Sequence, residues 1–283
     1  MSRSIVLIGG PDTGKTNYIG RLWYALKGNE GALHAAEIPD DITFVEEIID
    51  HLLRGRFAPR TGLTEDRRDF AISVVSANGG AATRIIIPDI SGELWRKAAL
   101  SSEIASDWME ELHRADGAIV LVRAHSALNE EPLDWVTSRN LLSRLGQEEG
   151  RTGFPTQVML CELLRFLELS LADRPDGRRP RVAVIVTAWD LLDSQTAAKG
   201  PEAFLEAQYP LFAGRLHDIG RLEVRVYGLS VVGGDIDADA DYREKFLEKS
   251  FRESGWVATQ DAETREWRNT PDVTLPVAWV VGV

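Results

Sequence analysis

Apolar residues fall along this chain in short runs that are rich in Val and Ile and bounded by Gly, Pro, Asn or charged residues. Such runs are typical of buried β-strands. The segments predicted as strands are SIVLIGG, DFAISVVSA, TRIIIPD, DGAIVLV, RVAVIVT and LEVRVYGLS. Between most of them, apolar residues recur every three or four positions, which indicates helices with one buried face. The predicted helices cover about residues 15–27, 42–53, 93–113, 157–171, 202–216 and 242–254.

The alternation of strand and helix predicts an α/β fold with a mostly parallel sheet. Asn78-Gly79-Gly80 separates two strand runs without room for a helix, so these two strands are expected to form an antiparallel hairpin at the edge of the sheet. No internal repeat or low-complexity linker divides the chain. We therefore expect one domain over residues 1–283, with helical insertions at about 38–56 and 125–178.

Composition narrows the classes of partner. The 283 residues include 32 Lys and Arg against 44 Asp and Glu, a formal charge of -12, which disfavours binding to nucleic acid or to an anionic membrane. The single cysteine, Cys161, has no partner for an intrachain disulfide and fits a reducing compartment. No apolar run reaches the ~20 residues that span a bilayer. The expectation is a cytoplasmic protein with no nucleic-acid or membrane partner.

The first functional motif lies between the first predicted strand and the first predicted helix, where GGPDTGKT matches the phosphate-binding pattern G-x-x-x-x-G-K-[ST]. In such a P-loop, backbone N–H groups and the helix N-terminus surround phosphate oxygens, while the lysine reaches the β- and γ-phosphates. Lys15 is therefore the predicted catalytic cation, and the Thr16 hydroxyl is a predicted Mg²⁺ ligand. The predicted phosphate-binding residues are Gly9, Gly10, Pro11, Asp12, Thr13, Gly14, Lys15, Thr16 and Asn17.

A second motif, Asp89-Ile90-Ser91-Gly92, ends the predicted strand TRIIIPD and fits D-x-x-G. We predict that Asp89 holds Mg²⁺ through water and that Gly92 offers an unobstructed N–H to a γ-phosphate oxygen. Many switch GTPases have a glutamine after this glycine, which orients the attacking water, but this chain has Glu93. A carboxylate adds negative charge beside the polyphosphate, so we expect slow intrinsic hydrolysis.

Between these two motifs, LLRGRFAPRTGLTEDRR concentrates five arginines in an otherwise acidic chain. One interpretation is a solvated basic loop. The other is a switch loop in which Thr61 or Thr64 completes the Mg²⁺ site when triphosphate is bound. The run is similar to the first switch of heterotrimeric G-protein α subunits, in which an arginine reaches the γ-phosphate in cis. This resemblance implies Arg56, or else Arg60, as the catalytic arginine.

The predicted strand RVAVIVT runs into Thr187-Ala188-Trp189-Asp190, where GTPases have [NT]-K-x-D. A carboxylate at the last position accepts hydrogen bonds from guanine N1–H and from the 2-amino group, and adenine has no matching pair of donors. Asp190 is therefore the predicted specificity residue, with Thr187 beside it. Ala188 replaces the lysine of the [NT]-K-x-D motif, whose aliphatic stem covers the base. Trp189 or a neighbour is therefore expected to cover the base instead.

Ser230 and Val231, at the end of the last predicted strand, are expected to present backbone N–H groups to guanine O6. All of these motifs follow successive predicted strand ends, where open α/β sheets bind ligands. With this order the chain resembles a TRAFAC-class P-loop GTPase, and GGPDTGKTNYIGRLW, TAWD and TPDVTLPVAWVV are similar to the double-GTPase group of bacterial conflict systems. The resemblance implies a three-layer Ras-like fold that binds GTP or GDP with Mg²⁺.

The function that this resemblance implies is a guanine-nucleotide switch, with slow GTP hydrolysis, that regulates an effector or adaptor protein. Two alternatives stay open at this point. In a P-loop ATPase or phosphotransferase, Asp89 belongs to a Walker B strand and TAWD is merely a strand end. In a pseudo-GTPase, the nucleotide, or none at all, serves as structural glue within a complex.

Overall fold

The computed structural model describes residues 2–39, 41–59, 68–89, 91–126, 128–131, 154–174, 176–261 and 263–282. Its strands are β1 (Ser2–Ile8), β2 (Leu33–Ala35), β3 (Arg68–Ser76), β4 (Thr83–Asp89), β5 (Gly117–Arg123), β6 (Arg181–Thr187), β7 (Glu223–Ser230), β8 (Trp256–Gln260) and β9 (Trp267–Thr270). They form one sheet in the order β2-β3-β4-β1-β5-β6-β7-β8-β9.

The centre of the sheet is parallel and its two sides are antiparallel. Strands β4, β1, β5, β6 and β7 pair in parallel, while β2 and β3 on one side and β8 and β9 on the other add antiparallel pairs. The predicted α/β fold with a parallel centre and a β3–β4 hairpin is confirmed. The hairpin lies one strand inside the edge, because the short β2 pairs with β3.

The helices of the described residues are α1 (Lys15–Lys27), α2 (Thr43–Leu53), α3 (Gly92–Ser101), α4 (Ser106–Arg114), α5 (Thr156–Ser170), α6 (Ser194–Gln208), α7 (Pro210–Asp218), α8 (Ala240–Glu248) and α9 (Leu275–Val281). Short 3-10 helices lie at Trp189–Leu191 and Phe251–Glu253. Helix α1 has the predicted bounds, and α2 and α5 agree with their predictions to within one residue at each end.

Three predicted helices are wrong in extent. The segment 93–113 breaks after α3, where Ser102 has a φ of 54°. The segment 202–216 belongs to two helices, and α6 ends before Pro210 because a residue that precedes proline is disfavoured in the α conformation. The segment 242–254 leaves the α-helix after Glu248. Apolar spacing continues through each break, so periodicity did not reveal them.

Helix α9 was not predicted as a helix. Its sequence LPVAWVV includes three valines, which favour strands by intrinsic propensity. It packs against β5 and β6, where Val277, Val280 and Val281 are buried. Tertiary packing therefore outweighs local preference in this segment.

Helices cover both faces of the parallel strands. In β6, Val182, Val184 and Val186 face a core that includes residues of α3 to α7, whereas Ala183 and Ile185 face a core with residues of α1, α2 and α9. Burial on both faces explains the continuous apolar runs of these strands. The loops that follow β1, β4, β5, β6 and β7 consequently meet at one edge, the carboxyl end of the parallel strands. Among the described residues, none of the helices has both the length and the apolar character required to cross a bilayer.

Candidate functional site

A cavity of about 460 Å³ lies at the carboxyl ends of β1 and β4. Cofactor and ligand pockets commonly measure roughly 300–1,000 Å³, so this large cavity has the size for a nucleotide. Its walls are residues 11–17, 57–59 and 91–93, together with Arg123 and part of the acidic loop after β7. The structure thus brings the P-loop and the D-x-x-G glycine to one cavity, as the motifs predict.

The loop after β1 has the backbone shape of a phosphate cradle. Asp12 and Gly14 have positive φ angles of 63° and 82°, and α1 begins directly after Gly14. Lys15 is only 7% exposed, and its ammonium donates to the carbonyl oxygens of Gly9 at 2.9 Å and of Gly10 at 3.1 Å. The cation therefore lies against the loop, beside the N–H groups that a phosphate would contact.

Two neighbouring strands hold this loop in place. The Thr187 hydroxyl, at the end of β6, donates to the carbonyl oxygen of Thr13 at 2.9 Å. A Cβ on Gly9 would come within 2.8 Å of the Leu121 carbonyl oxygen in β5, so the first glycine is required by close packing. Thr187, predicted as a ligand-binding residue, contacts the cradle itself in this structure.

Gly92 is the first residue of α3 and lies against the P-loop. A Cβ on Gly92 would lie 2.4 Å from the carbonyl carbon and oxygen of Gly10 and equally close to the nitrogen of Pro11. Ser91 caps the helix by accepting a hydrogen bond from the Leu94 N–H at 3.4 Å. Glu93, the predicted water-positioning residue, lines the large cavity from the first turn of α3.

Only part of the predicted Mg²⁺ site lies in the described residues. Thr16 lines the large cavity. Asp89 is the last residue of β4, next to β1, which brings its backbone to the carboxyl edge of the sheet. Its side chain is outside the described part of the structure. Thr61 and Thr64 lie outside the described residues altogether, so their roles stay predictions.

The loop after α2 reaches the cavity through residues other than the predicted arginine. Phe57 and Ala58 line the large cavity, and the Ala58 N–H donates to the Asn17 side-chain oxygen at 3.0 Å. Arg56 is exposed and does not line the cavity, while Arg60 lies outside the described residues. The catalytic role of either arginine stays a prediction. Asn17, predicted to bind the cofactor, joins this loop to the start of α1.

A narrow cavity of about 50 Å³ surrounds Asp190 and shares several wall residues with the large cavity, including Gly14 and Phe57. Burial raises the pKa of the Asp190 carboxyl, and a hydrogen bond from the Ser230 hydroxyl opposes that shift. Ser230 is fully buried, and its hydroxyl oxygen also accepts the Gly233 N–H at 2.7 Å. Val231 lines the narrow cavity beside them. These three predicted base-binding residues therefore lie together.

Of the two expected candidates for covering the base, Trp189 or a neighbour, the structure buries Trp189 in the core and places its neighbour Leu191 beside the narrow cavity. Trp189 is buried with its indole at 5.7 Å from the Phe204 ring, and a Cβ on Gly228 would lie 2.7 Å from the indole. Leu191 lines the narrow cavity and is 38% exposed. The left-handed conformation of Ala188, with a φ of 55°, turns the chain at this point.

Several wall residues were not predicted. Phe57 lines both cavities, Asp235 lines both from the acidic loop after β7, and Asp237 from the same loop lines the large cavity. The Asp235 carboxylate accepts the N–H groups of Asp237 at 3.0 Å and of Ala238 at 2.9 Å. Arg123 ends β5 and lines both cavities. Sequence position alone could have indicated these residues, because each follows a predicted strand or helix near the carboxyl edge of the sheet.

Comparison with known proteins adds a family to this geometry. A family model described as Double-GTPase 1 matches residues 6–280. The chain is similar to the solved structure of the Arl6 (BBS3) small GTPase from Trypanosoma brucei with bound nucleotide analogue GppNp, at 12% identity over 88% of this chain and 100% of that chain, with a TM-score of 0.42.

A second similar structure is the G domain of the T. maritima FeoB iron transporter, at 16% identity over 88% of this chain and 98% of that chain, with a TM-score of 0.34. No curated protein sequence matches the chain. The family match spans nearly the whole chain and agrees with the P-loop, the D-x-x-G glycine and the partly buried Asp190. The chain belongs to the Double-GTPase 1 family and has the P-loop GTPase fold that its motifs predict.

Proposed function

We propose that this protein is a guanine-nucleotide switch that hydrolyses GTP slowly and regulates an effector or adaptor protein in the cytoplasm. The observation that carries this proposal is that the two cavities adjoin each other. The large cavity has the phosphate cradle with Lys15, the narrow cavity has the Asp190 carboxylate, and the two share wall residues. A ligand with phosphates at one end and a hydrogen-bonding base at the other fits this arrangement.

At the phosphate end, the cradle supplies backbone N–H groups and the Lys15 ammonium to the phosphate oxygens. The Thr16 hydroxyl in the wall of the large cavity fits Mg²⁺, which prefers oxygen ligands, and Asp89 is the second proposed ligand through water. When bound, Mg²⁺ neutralises negative charge on the phosphate oxygens. Lys15 and Thr16 are adjacent at the start of α1, so the same end of this helix would contact both the phosphates and Mg²⁺.

At the base end, the partly buried Asp190 carboxylate accepts two hydrogen bonds from the guanine edge. Adenine presents no matching donor pair there, and a partly desolvated carboxylate that loses two donors is disfavoured. This asymmetry supports guanine over adenine. The proposal therefore favours a GTPase over the ATPase alternative.

The switch element in this proposal is α3. A γ-phosphate oxygen that accepts the Gly92 N–H must enter where Gly92 lies against the P-loop. Gly92 is the first residue of α3, and Trp95 anchors the same helix in the core. Gain and loss of the γ-phosphate would move the start of α3 and the neighbouring loop, which changes the surface offered to a partner. The similarity to the double-GTPase group of bacterial conflict systems supports such a role beside partner proteins.

Slow hydrolysis follows from the chemistry around the γ-phosphate. Glu93 lines the large cavity in the position where many switch GTPases orient water with a neutral glutamine. Its negative charge opposes the charge that develops on the transferring phosphoryl group. A turnover rate at the level of the uncatalysed reaction would instead identify the protein as a pseudo-GTPase.

The deciding experiment is equilibrium competition of GTP, GDP and ATP against a fluorescent GDP analogue at fixed free Mg²⁺. We expect GTP and GDP to displace the analogue at concentrations at least about 100-fold lower than ATP does, in line with the discrimination that a hydrogen-bonding site achieves. Lys15→Ala, in protein shown to be folded, should abolish tight binding of the triphosphate. Equal displacement by ATP and GTP would refute the guanine assignment.

A further inference from the structure

We propose that Arg123 is a specificity residue whose guanidinium packs against the purine, at the junction between the phosphate cradle and the base site. This inference rests on the proposed function, because it assigns a further residue to the same nucleotide site. It adds Arg123 to the expectation that Trp189 or a neighbour covers the base.

The position of Arg123 follows from sheet order. Arg123 is the last residue of β5, which lies between β1 and β6, and it pairs in register with Thr187. The P-loop follows β1 and the Ala188–Asp190 segment follows β6. A long side chain that leaves the sheet at Arg123 therefore emerges between the two halves of the site.

The contacts of the side chain agree with this position. The Arg123 guanidinium lies 3.4 Å from the Asp12 carbonyl oxygen, to which it donates, and 3.7 Å from an Asp12 carboxylate oxygen. The side chain is 28% exposed and lines both cavities. Both distances are long for a charged pair. The guanidinium can therefore adjust to a ligand while its stem stays anchored in the sheet.

Arg123 also differs chemically from the other walls of the narrow cavity. Of the described residues around that cavity, Arg123 is the one with a cationic side chain, while Phe57 and Leu191 contribute apolar surface. Ala188 is too short to cover a base, and Trp189 is directed into the core. A planar guanidinium stacks on aromatic rings and supplies several donors, which suits a purine.

A second effect of the Arg123 charge acts on Asp190. Burial is the main influence and raises the pKa of the Asp190 carboxyl, and the neighbouring Asp235 raises it further, whereas Arg123 lowers it. The carboxylate must be ionised in order to accept both guanine N–H groups. Arg123 therefore favours the binding form of Asp190 as well as covering the base.

The experiment compares a ligand that has a base with one that has none. Isothermal titration at fixed free Mg²⁺ measures the Kd of GDP and of inorganic pyrophosphate for the unmodified protein, Arg123→Ala and Arg123→Lys. For Arg123→Ala we expect the Kd of GDP to rise about tenfold, within the range of a desolvated cation–π contact, and the Kd of pyrophosphate to stay within twofold. Arg123→Lys keeps the positive charge but has no planar guanidinium, so its Kd for GDP should lie between the values for the unmodified protein and for Arg123→Ala.

Controls separate this role from a general loss of structure. Arg215 has similar exposure, at 31%, and pairs with Glu168 between α7 and α5, so Arg215→Ala should change neither Kd. Lys15→Ala should weaken GDP and pyrophosphate together. A purely structural role of Arg123 through Asp12 in the cradle would likewise weaken both ligands.

Two results would overturn the inference. Equal weakening of GDP and pyrophosphate would assign Arg123 to the phosphates or to the cradle, and no change in either Kd would remove it from the site. Failure of the proposed function has a different signature, namely equal affinity of the unmodified protein for GDP and ADP. In that case the comparison of ADP with pyrophosphate still tests whether Arg123 contacts a purine.

Discussion

Gly92 lies in van der Waals contact with Gly10, so the first residue of α3 and the second glycine of the P-loop touch through their backbones. Any Cβ on Gly92 would come within 2.4 Å of the Gly10 carbonyl group. A side chain on Gly92 is not tolerated at such distances, because the atoms that it would meet belong to the backbone of Gly10 and Pro11 and cannot rotate away. The phosphate cradle and the start of α3 must therefore move together or separate.

Gly92→Ala should consequently impair the triphosphate state. The added methyl group must push α3 away from Gly10, which moves the N–H of residue 92 out of line with a γ-phosphate. We expect affinity for a non-hydrolysable GTP analogue to fall at least tenfold, about 1.4 kcal/mol, while GDP stays within about threefold. The free energy of unfolding should fall by about 1–3 kcal/mol, as for other overpacked sites.

Gly214→Ala is the matched control for this variant. Gly214 lies in α7 and has open space around a built Cβ, so alanine there should be neutral or stabilising by roughly 0.5–1 kcal/mol. Isothermal titration and denaturant unfolding measure both variants. Equal loss of GDP and GTP-analogue affinity in Gly92→Ala would mean that Gly92 supports the cradle and does not sense the third phosphate.

Asp190→Asn should change the choice of base. The amide can donate to the C2 carbonyl of xanthine but no longer accepts both guanine donors. We expect GTP binding to weaken by at least tenfold, about 1.4 kcal/mol, and xanthosine triphosphate to become the preferred ligand. Competition against a fluorescent nucleotide measures the preference. Asp193→Asn is the control, since Asp193 is an exposed N-cap of α6 and asparagine caps equally well.

Acidification should weaken GDP binding at a higher pH than an ordinary aspartate would cause. Burial raises the pKa of Asp190, and the hydrogen bond from Ser230 reduces that shift. The ionised carboxylate binds guanine, so GDP affinity is highest above the pKa of Asp190 and falls as the pH drops through it. This fall should occur at a pH above the usual aspartate pKa of about 3.9. Titrations across pH in the unmodified protein should show this transition, and Asp190→Asn should lack it. A transition retained in Asp190→Asn would have to come from another group.

Arg56→Ala and Arg60→Ala test for a catalytic arginine in cis. Neither variant should change GTP affinity more than about tenfold, equal to about 1.4 kcal/mol. At least one should slow single-turnover hydrolysis far more, because an arginine finger contributes roughly 10³–10⁵ in rate. Arg56 is exposed and directly precedes Phe57, which lines both cavities. Unchanged rates in both variants would assign the arginines to a solvated face or a partner surface.

Local sequence determined the parts of this protein that depend on neighbouring residues. The P-loop, the six predicted strands and α1 follow from apolar runs, glycines and helical spacing within short windows. The cradle around Lys15 and the turn at Gly14 are local in the same sense. The order of motifs along the strands was also enough to predict that Gly92 and Asp190 lie at the same edge of the sheet, because parallel strands align their carboxyl ends.

Tertiary structure decided the features that depend on what packs against a segment. Trp189 directly precedes Asp190 in the sequence, yet its indole lies in the core. There it packs against Phe204 and occupies the place that a side chain on Gly228 would take. Helix α9 forms in a valine-rich segment because β5 and β6 bury it. Arg123 belongs to the site only because β5 lies between β1 and β6. The spacing of apolar residues shows that one face of a helix or strand is buried. Which segment packs against that face depends on contacts between residues far apart in sequence.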